Sequence, residues 1–567
     1  MTNKISEKIN IYLRKVSIII PMVYMCIMYF SNCIYYSESD DGMMNSIARG
    51  YFTGKKDVHL VFINTTYGYL TKILYKITDS VNWFAIIYLL LVIICVYLIW
   101  FIFSRYVNYW ISLCVAIALE SLVIFYFTFT TISFVCSFTG LIVLIDFVKR
   151  EKKYTIFKRT LFSITIVALC CFGFVIRKEA FVVTVFLVTP TFLISAKKIV
   201  KSKLVILIVA ITLVGAVSLN YVNAISYKTS IWKNYSKYNT ARSKAIDYPI
   251  AKYEENQKLY EEKGLSKNDL NCLSWWIFGD KEVYSEQTLN EIAEKTPTKI
   301  RYNINPLTYR VITYYKLDKY LCYFSLLGFL ILVVYTILYL KSRRRFYILQ
   351  SSVLLIYLAY LGVMGRTVAH VVLPSILIAS LVIIYSIITH NESKQVINNR
   401  FNRKLLFTII ICATCGFFIA FNSLTLLRSM RISAMHYENN QIKQYLRSHN
   451  NSLYLARFKG LILYNESVNK MTDKEIYPNL MQMGDQDIYN NLYYQQLKQL
   501  KVRKEYKNRL LMNLLYRKNT FMLCNKHRDY KKIKLVKQFL EEHTKRKVEC
   551  RVVERIKGTN TYVYQFK

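Results

Sequence analysis

The feature that most limits what this chain can become is its division into long apolar runs joined by short basic loops. Runs near 16–36, 82–103, 108–127, 128–148, 157–176, 180–196, 204–224, 319–340, 346–364, 369–388 and 405–427 are each long enough to cross a hydrocarbon core of about 30 Å as a helix. Lipid offers the backbone no hydrogen bonds, so such a run satisfies its own N–H and C=O groups by coiling. Of the 567 residues, 54% are hydrophobic, and they lie in blocks, which excludes an ordinary soluble domain. The expected fold class is mainly α, a polytopic membrane protein with a bundle of about 11 transmembrane helices.

Charge orients the bundle. The chain carries 76 Lys and Arg against 35 Asp and Glu, a net +41. Such an excess suits nucleic acid in a soluble protein. Here much of it falls in the loops 149–159, 197–203, 341–345 and 390–404, where it sets orientation and meets anionic membrane lipids. No nucleic acid is therefore expected as a partner. Lys4, Lys8, Arg14 and Lys15 precede the first run and place the N-terminus in the cytoplasm. No small-residue cleavage site follows that run, so it reads as a span and not as a removable signal. Eleven crossings leave the C-terminus outside, and the four basic loops then all fall inside. Most of the 13 cysteines sit in apolar runs and read as small hydrophobes, Cys412 and Cys415 included; Cys524 and Cys550 in the tail could pair.

This topology divides the chain into a transmembrane domain, 1–427, with outer loops 37–81 and 224–318, and a C-terminal domain, 428–567, on the same outer side. In the first loop Ile63, Tyr67, Leu70, Leu74 and Ile77 recur at steps of four and three, which predicts an amphipathic helix lying on the bilayer. In the tail, strand-like runs at 452–455, 520–524, 551–555 and 561–564 and a helical run at 530–543 predict a small α/β domain. It carries 29 Lys and Arg against 12 Asp and Glu, a surface suited to an anionic polymer or simply to solubility beside anionic lipid.

Candidate chemistry gathers on the outer face. Ser37-Glu38-Ser39-Asp40-Asp41-Gly42 directly follows the first run, and adjacent carboxylates there suit a general base for an acceptor hydroxyl or a cation site. Arg177-Lys178-Glu179 and Arg366-Thr-Val-Ala-His370 lie at outer turns, where basic residues run against the orientation rule. Arginine offers planar bidentate donors to phosphate, so Arg177, Lys178, Arg366 and His370 are candidate phosphate contacts; snorkelling or an ion pair with Glu179 or Asp41 is the structural alternative. Trp275, Trp276 and Asp280 in the second outer loop suit sugar or acceptor binding, with interfacial anchoring as the tryptophans' alternative.

Asp40-Asp41 after a first span, an amphipathic outer loop, basic inner loops and a large outer segment together resemble the GT-C superfamily of integral membrane glycosyltransferases. More narrowly, 40–77, Ile176–Phe181, 264–270, 276–286 and Gly365-Arg366 look like a group of bacterial multispan proteins described as glucosyltransferase-domain membrane proteins. The resemblance covers most of the chain. It implies a GT-C-like bundle in a bacterial plasma membrane and a polyprenyl-phosphate-linked sugar as donor. The acceptor it implies is a cell-envelope glycan or anionic polymer, with Asp40 or Asp41 as base and Arg177 and Arg366 on the donor phosphate. Some members need a divalent cation such as Mg or Mn, and Glu38, Asp280 or Glu282 would complete such a site. Trp275-Trp276 is similar to the start of the Trp-Trp-Asp motif of oligosaccharyltransferases, but Ile277 stands where that motif has Asp, so peptide recognition is not implied. Two rival readings remain: a polysaccharide polymerase or ligase, and a flippase or transporter for a lipid-linked saccharide. The transporter predicts ionisable groups within the spans, where Glu120 and Asp146 are the acids.

Overall fold

The computed structural model describes residues 16–248, 250–295, 316–340, 343–364, 366–389, 401–457, 467–469, 477–525 and 530–567. Lys4, Lys8, Arg14, Lys15 and Gly365, and parts of the segments 224–318, 341–345 and 390–404, lie outside the described residues.

The chain is mainly helical with one small sheet. Among the described residues, nine helices are long and apolar enough to cross a membrane. Ile19–Phe30 and Tyr109–Phe125 are apolar but shorter. The first stops early because Asn32 adopts a left-handed conformation, φ +57°, which breaks the helix before Tyr36. Polar residues ahead of the apolar runs start many of the helices. The side chains of Asn82, Asn108, Thr128, Thr155 and Ser202 each accept a hydrogen bond from a backbone N–H in the first turn.

Similar hydropathy leads to different positions. Phe129–Arg150 and Ala369–Thr389 are buried along nearly their whole length. Lys203–Ser226 exposes most of its apolar side chains, Leu213, Val214 and Val217 among them. The helix ends sort into two groups. At one, Lys149 Nζ bonds Thr389 Oγ1 at 3.0 Å, and Asp146 is held by Arg105, by Arg150 and by the Tyr106 hydroxyl at 2.7 Å. At the other, Ser37 N donates to Phe127 O at 3.3 Å and Asn64 N to Val175 O at 3.0 Å. Glu120 lies fully buried in Tyr109–Phe125, and neither of its oxygens has a hydrogen-bond partner among the described residues.

The loop helix Thr65–Ile77 does not follow the expected face. Ile63 and Tyr67 point into the protein, with the Tyr67 hydroxyl on Phe84 O at 2.9 Å, while Tyr69, Ile73 and Ile77 face outward. Gly68 makes this packing possible, since a Cβ there would stand 2.1 Å from Val58 O. Periodicity reveals that a helix has faces, but in an apolar protein it does not say which face meets protein.

The tail begins as a continuation of the bundle, because the helix Phe421–Ser448 runs without a break across residue 428. Beyond it lies a five-stranded sheet of β1 (Leu453–Ala456), β2 (Leu480–Gln482), β3 (Thr520–Asn525), β4 (Cys550–Arg555) and β5 (Thr561–Phe566), in the order β2-β1-β3-β5-β4. β2-β1-β3 is parallel, with Tyr454 opposite Leu480 and Phe521; β3-β5-β4 is antiparallel, with Leu523 opposite Val563 and Val552 opposite Tyr564. Tyr530–Thr544 packs on it. Four of these strands match the sequence expectation closely; β2, three residues long, carries too short a pattern to read. Cys524 and Cys550 are free thiols. β5 lies between their strands, with Cys524 opposite Tyr562 and Cys550 opposite Phe566, so two strand spacings and four residues of register set them roughly 16 Å apart, beyond disulfide reach. The polar segment within 224–295 joins this unit: Tyr238, Tyr260, Leu273, Phe278 and Leu289 share one apolar core with Leu455, Met522 and Phe539.

Candidate functional site

The acidic stretch forms the N-terminus of the helix Ser39–Arg49, where two carboxylates in the first turn suit the helix dipole. The two aspartates then part ways. Asp41 is fully buried; its Oδ1 accepts from Phe129 N at 2.8 Å and from the Tyr88 hydroxyl at 3.3 Å. It thereby ties the helix Ser39–Arg49 to the first turn of Phe129–Arg150. Asp41 Oδ2 is buried without a partner among the described residues, and burial holds this carboxyl well above the usual range. Asp40 is only half-buried, and its carboxylate accepts a hydrogen bond from the Ser39 hydroxyl at 3.1 Å. Burial, with repulsion from Glu38 and Asp485, pushes its carboxyl up to about 7, against the pull of the Ser39 hydroxyl and Arg177.

Arg177 sits at the break between Ile156–Ile176 and Lys178–Lys201. The break is pinned by Ser133, whose hydroxyl bonds Gly173 O at 2.7 Å and Arg177 O at 2.9 Å. Gly173 lets the helices approach, since a Cβ there would lie 2.2 Å from Ser137 Oγ. The guanidinium stands 5.0 Å from the centre of the Phe129 ring and pairs with the exposed Glu179 at 3.0 Å. With Lys178 it lines a cleft of about 440 Å³, together with Asn220, Asn223, Tyr227 and Tyr235. Glu179 is a solvent-screened partner that an anionic ligand could displace.

The turn at 366–370 serves two neighbours. His370 Nδ1 lies 3.1 Å from Glu38 Oε1, beside Asp40. Arg366 pairs with Asp247 at 3.6 Å and stands 5.3 Å from the centre of the Tyr248 ring. Asp247 in turn binds Arg242 at 3.2 Å, and Arg242, 2% exposed, stands 5.2 Å from the Trp276 ring centre. Arg457 stands 5.7 Å from the same ring and donates to Trp275 O at 2.9 Å. Trp276 has φ +60°, a strained conformation for an aromatic residue, held where Gly484 passes its carbonyl closely.

Asp40, Asp41, Arg177, Lys178, Arg366, His370 and Trp276 thus fall on linked parts of one end of the bundle. Trp275 and Asp280 do not join them. Trp275 is exposed with Lys532 5.3 Å from its ring centre. Asp280 is fully buried, with Arg509 Nε on Oδ2 at 3.1 Å and Glu282 N on Oδ1 at 3.0 Å. Arg509 also takes Glu282, at 3.0 Å. Asp280 and Glu282, two of the three acids expected to help complete a cation site, are therefore spent on one arginine, and the third, Glu38, lies on His370. Among the described residues no three His, Cys, Asp or Glu gather as a metal site. Sequence reasoning missed Asp247, Arg242 and Asp485. Each lies in a polar segment without spacing or motif, and only the fold brings them to the site.

No protein-family model matches the chain, and no curated protein matches it.

Proposed function

We propose that the chain is an integral membrane glycosyltransferase that moves a sugar from a polyprenyl phosphate to a cell-envelope acceptor on the outer face of a bacterial plasma membrane. One observation carries this reading: Asp40, with a carboxyl raised to about 7, lies within electrostatic reach of Arg177, which lines the cleft. A base poised near neutral pH beside a guanidinium suits removal of a proton from a hydroxyl while a phosphate departs. In that step the acceptor O–H gives its proton to Asp40 and its oxygen bonds the sugar's anomeric carbon. The bond from that carbon to the phosphate oxygen breaks, and polyprenyl phosphate leaves with the electron pair, its charge met by Arg177 and Lys178. Arg366 is held by Asp247 and orders the rim. Asp41 fixes the loop that presents Asp40. No step is routed through a metal ion.

Two observations agree with membrane placement: the nine long apolar helices, and the outward apolar faces of helices such as Lys203–Ser226. Unpartnered Glu120 is the feature that favours the flippase reading instead. The test is release of polyprenyl phosphate from lipid-linked sugars by the purified protein. Asp40→Asn should lose turnover with no lowering of the thermal midpoint and with donor binding kept; turnover equal to the parent protein's would remove Asp40 as the base. Transport of lipid-linked saccharide that Glu120→Gln abolishes, without any turnover by the parent protein, would establish the flippase.

A further inference from the structure

A second cavity, of about 380 Å³, opens between the outer segment and the tail. Its wall includes Lys281 from the former and Lys504 and Lys507 from the latter, with Asn234, Tyr494 and Asn508 between them. Among the described residues none of the three ammonium groups is in an ion pair. The nearby acids are already engaged, Glu282 by Arg509 at 3.0 Å and Glu505 by Arg503 at 3.7 Å. The wall is firmly built. Lys281 N donates to Asn508 O at 2.7 Å, and Lys281 Nζ stands 5.5 Å from the ring centres of both Tyr238 and Tyr489. The Tyr494 hydroxyl bonds Asn508 Oδ1 at 2.8 Å, and the Tyr493 hydroxyl bonds Lys507 O at 2.8 Å. Three cationic residues line one hollow, and an anion shared among them would relieve the repulsion between their charges.

We infer that this cavity binds the phosphate group of a phosphorylated saccharide. Lysine serves as a point charge for phosphate, and the carboxamides of Asn234 and Asn508 match sugar hydroxyls. The volume accommodates roughly one sugar phosphate, at the small end of ordinary ligand pockets. Its place indicates its use. The helix Ser230–Ile246 walls both cavities, and Tyr235 lines each of them, with its hydroxyl fixed on Gln486 O at 2.8 Å. A phosphorylated saccharide held by the lysines is thus separated from the Arg177 cleft by the thickness of one helix. That location makes the cavity the acceptor's docking site, an assignment that rests on the glycosyl-transfer reading; the binding itself does not.

Titration calorimetry on the full chain in detergent tests this, with glucose 6-phosphate, glucose, inorganic phosphate and uridine monophosphate as probes. The expected result is binding of glucose 6-phosphate at least tenfold tighter than glucose. The triple variant Lys281→Gln, Lys504→Gln, Lys507→Gln should weaken it at least tenfold, and Asp40→Asn should leave it unchanged. Equal affinity in the triple variant, confirmed folded by an unchanged thermal midpoint, would overturn the site. Tighter binding of uridine monophosphate than of glucose 6-phosphate, or inorganic phosphate binding as well as the sugar phosphate, would overturn the saccharide assignment. If glucose 6-phosphate binds as expected yet no lipid-linked sugar is turned over, the cavity stands and the transferase reading falls.

Discussion

Two acidic places on the same side of this molecule meet opposite fates. At the Trp275–Asp280 seam, the carboxylates of Asp280 and Glu282 are both answered by Arg509, and the backbone closes around them through Phe278 N on Met483 O at 3.1 Å. In the segment that leads into Ser39–Arg49, Asp40 has neighbouring acids in Glu38 and Asp485, and Arg177, the base that pulls on it, is paired with Glu179. The first arrangement satisfies charge and holds two segments together. The second leaves a carboxyl whose proton is loosely decided, which is what proton transfer needs. Removing charge should therefore cost stability at the seam and activity at the loop.

The largest effect is expected at the seam. Asp280→Ala strands a partly buried guanidinium with only the exposed Glu282, and loss of one partner from a buried pair costs about 3 kcal/mol. Thermal unfolding in detergent should show a markedly lower midpoint, and an unchanged midpoint would mean that Arg509 holds the seam without Asp280. At the loop, Asp40→Asn should instead leave the midpoint no lower, and higher above about pH 7 where the native carboxyl ionises, and should reduce turnover about a hundredfold or more, the usual scale of lost general-base catalysis. A variant at either place that behaves like the other would end the comparison.

Much of this contrast was beyond the reach of sequence. Hydropathy located the apolar helices because their length and composition are local properties. Alternation located four strands for the same reason. Asp40 and Asp280 each sit in an acidic, aromatic-rich segment, and nothing local tells them apart; the difference is Arg509, more than two hundred residues from Asp280 along the chain. Arg366 and Trp276 were legible as unusual residues, whereas the Arg242 and Asp247 pair that links them was not. The placement of Lys281, Lys504 and Lys507 around one cavity is likewise a product of tertiary packing, invisible in a tail that reads only as basic.

Within the loop itself the two aspartates sharpen the comparison further. Asp41→Ala removes the acceptor for Phe129 N and for the Tyr88 hydroxyl inside the protein, with an expected loss of about 2 kcal/mol. Asp41→Asn keeps an acceptor oxygen in place and should cost about 1 kcal/mol. On the proposed assignment, with Asp40 as the base and Asp41 holding the loop, turnover should follow stability in this series. A fully stable Asp41→Asn with no turnover would transfer the base to Asp41.

The smallest effect is the most specific, because one carboxyl governs two opposite pH trends. Asp40 titrates near 7 in the folded chain against 3.8 for an ordinary aspartate. Between those values the unfolded chain has released a proton that the folded chain still holds, so the contribution of Asp40 to stability falls as pH rises through that window and is level above it. Turnover runs the other way, rising with pH as Asp40 ionises and levelling above about 7. Glu38→Gln removes a repelling charge and should move the rising limb to lower pH. Arg177→Gln removes an attracting one and should move it higher. Both displacements should be modest, since burial is the larger cause and neither variant changes it. A pH profile that Glu38→Gln leaves in place would mean that the titrating group is not Asp40, and the contrast with the paired acids of the seam would then rest on another residue.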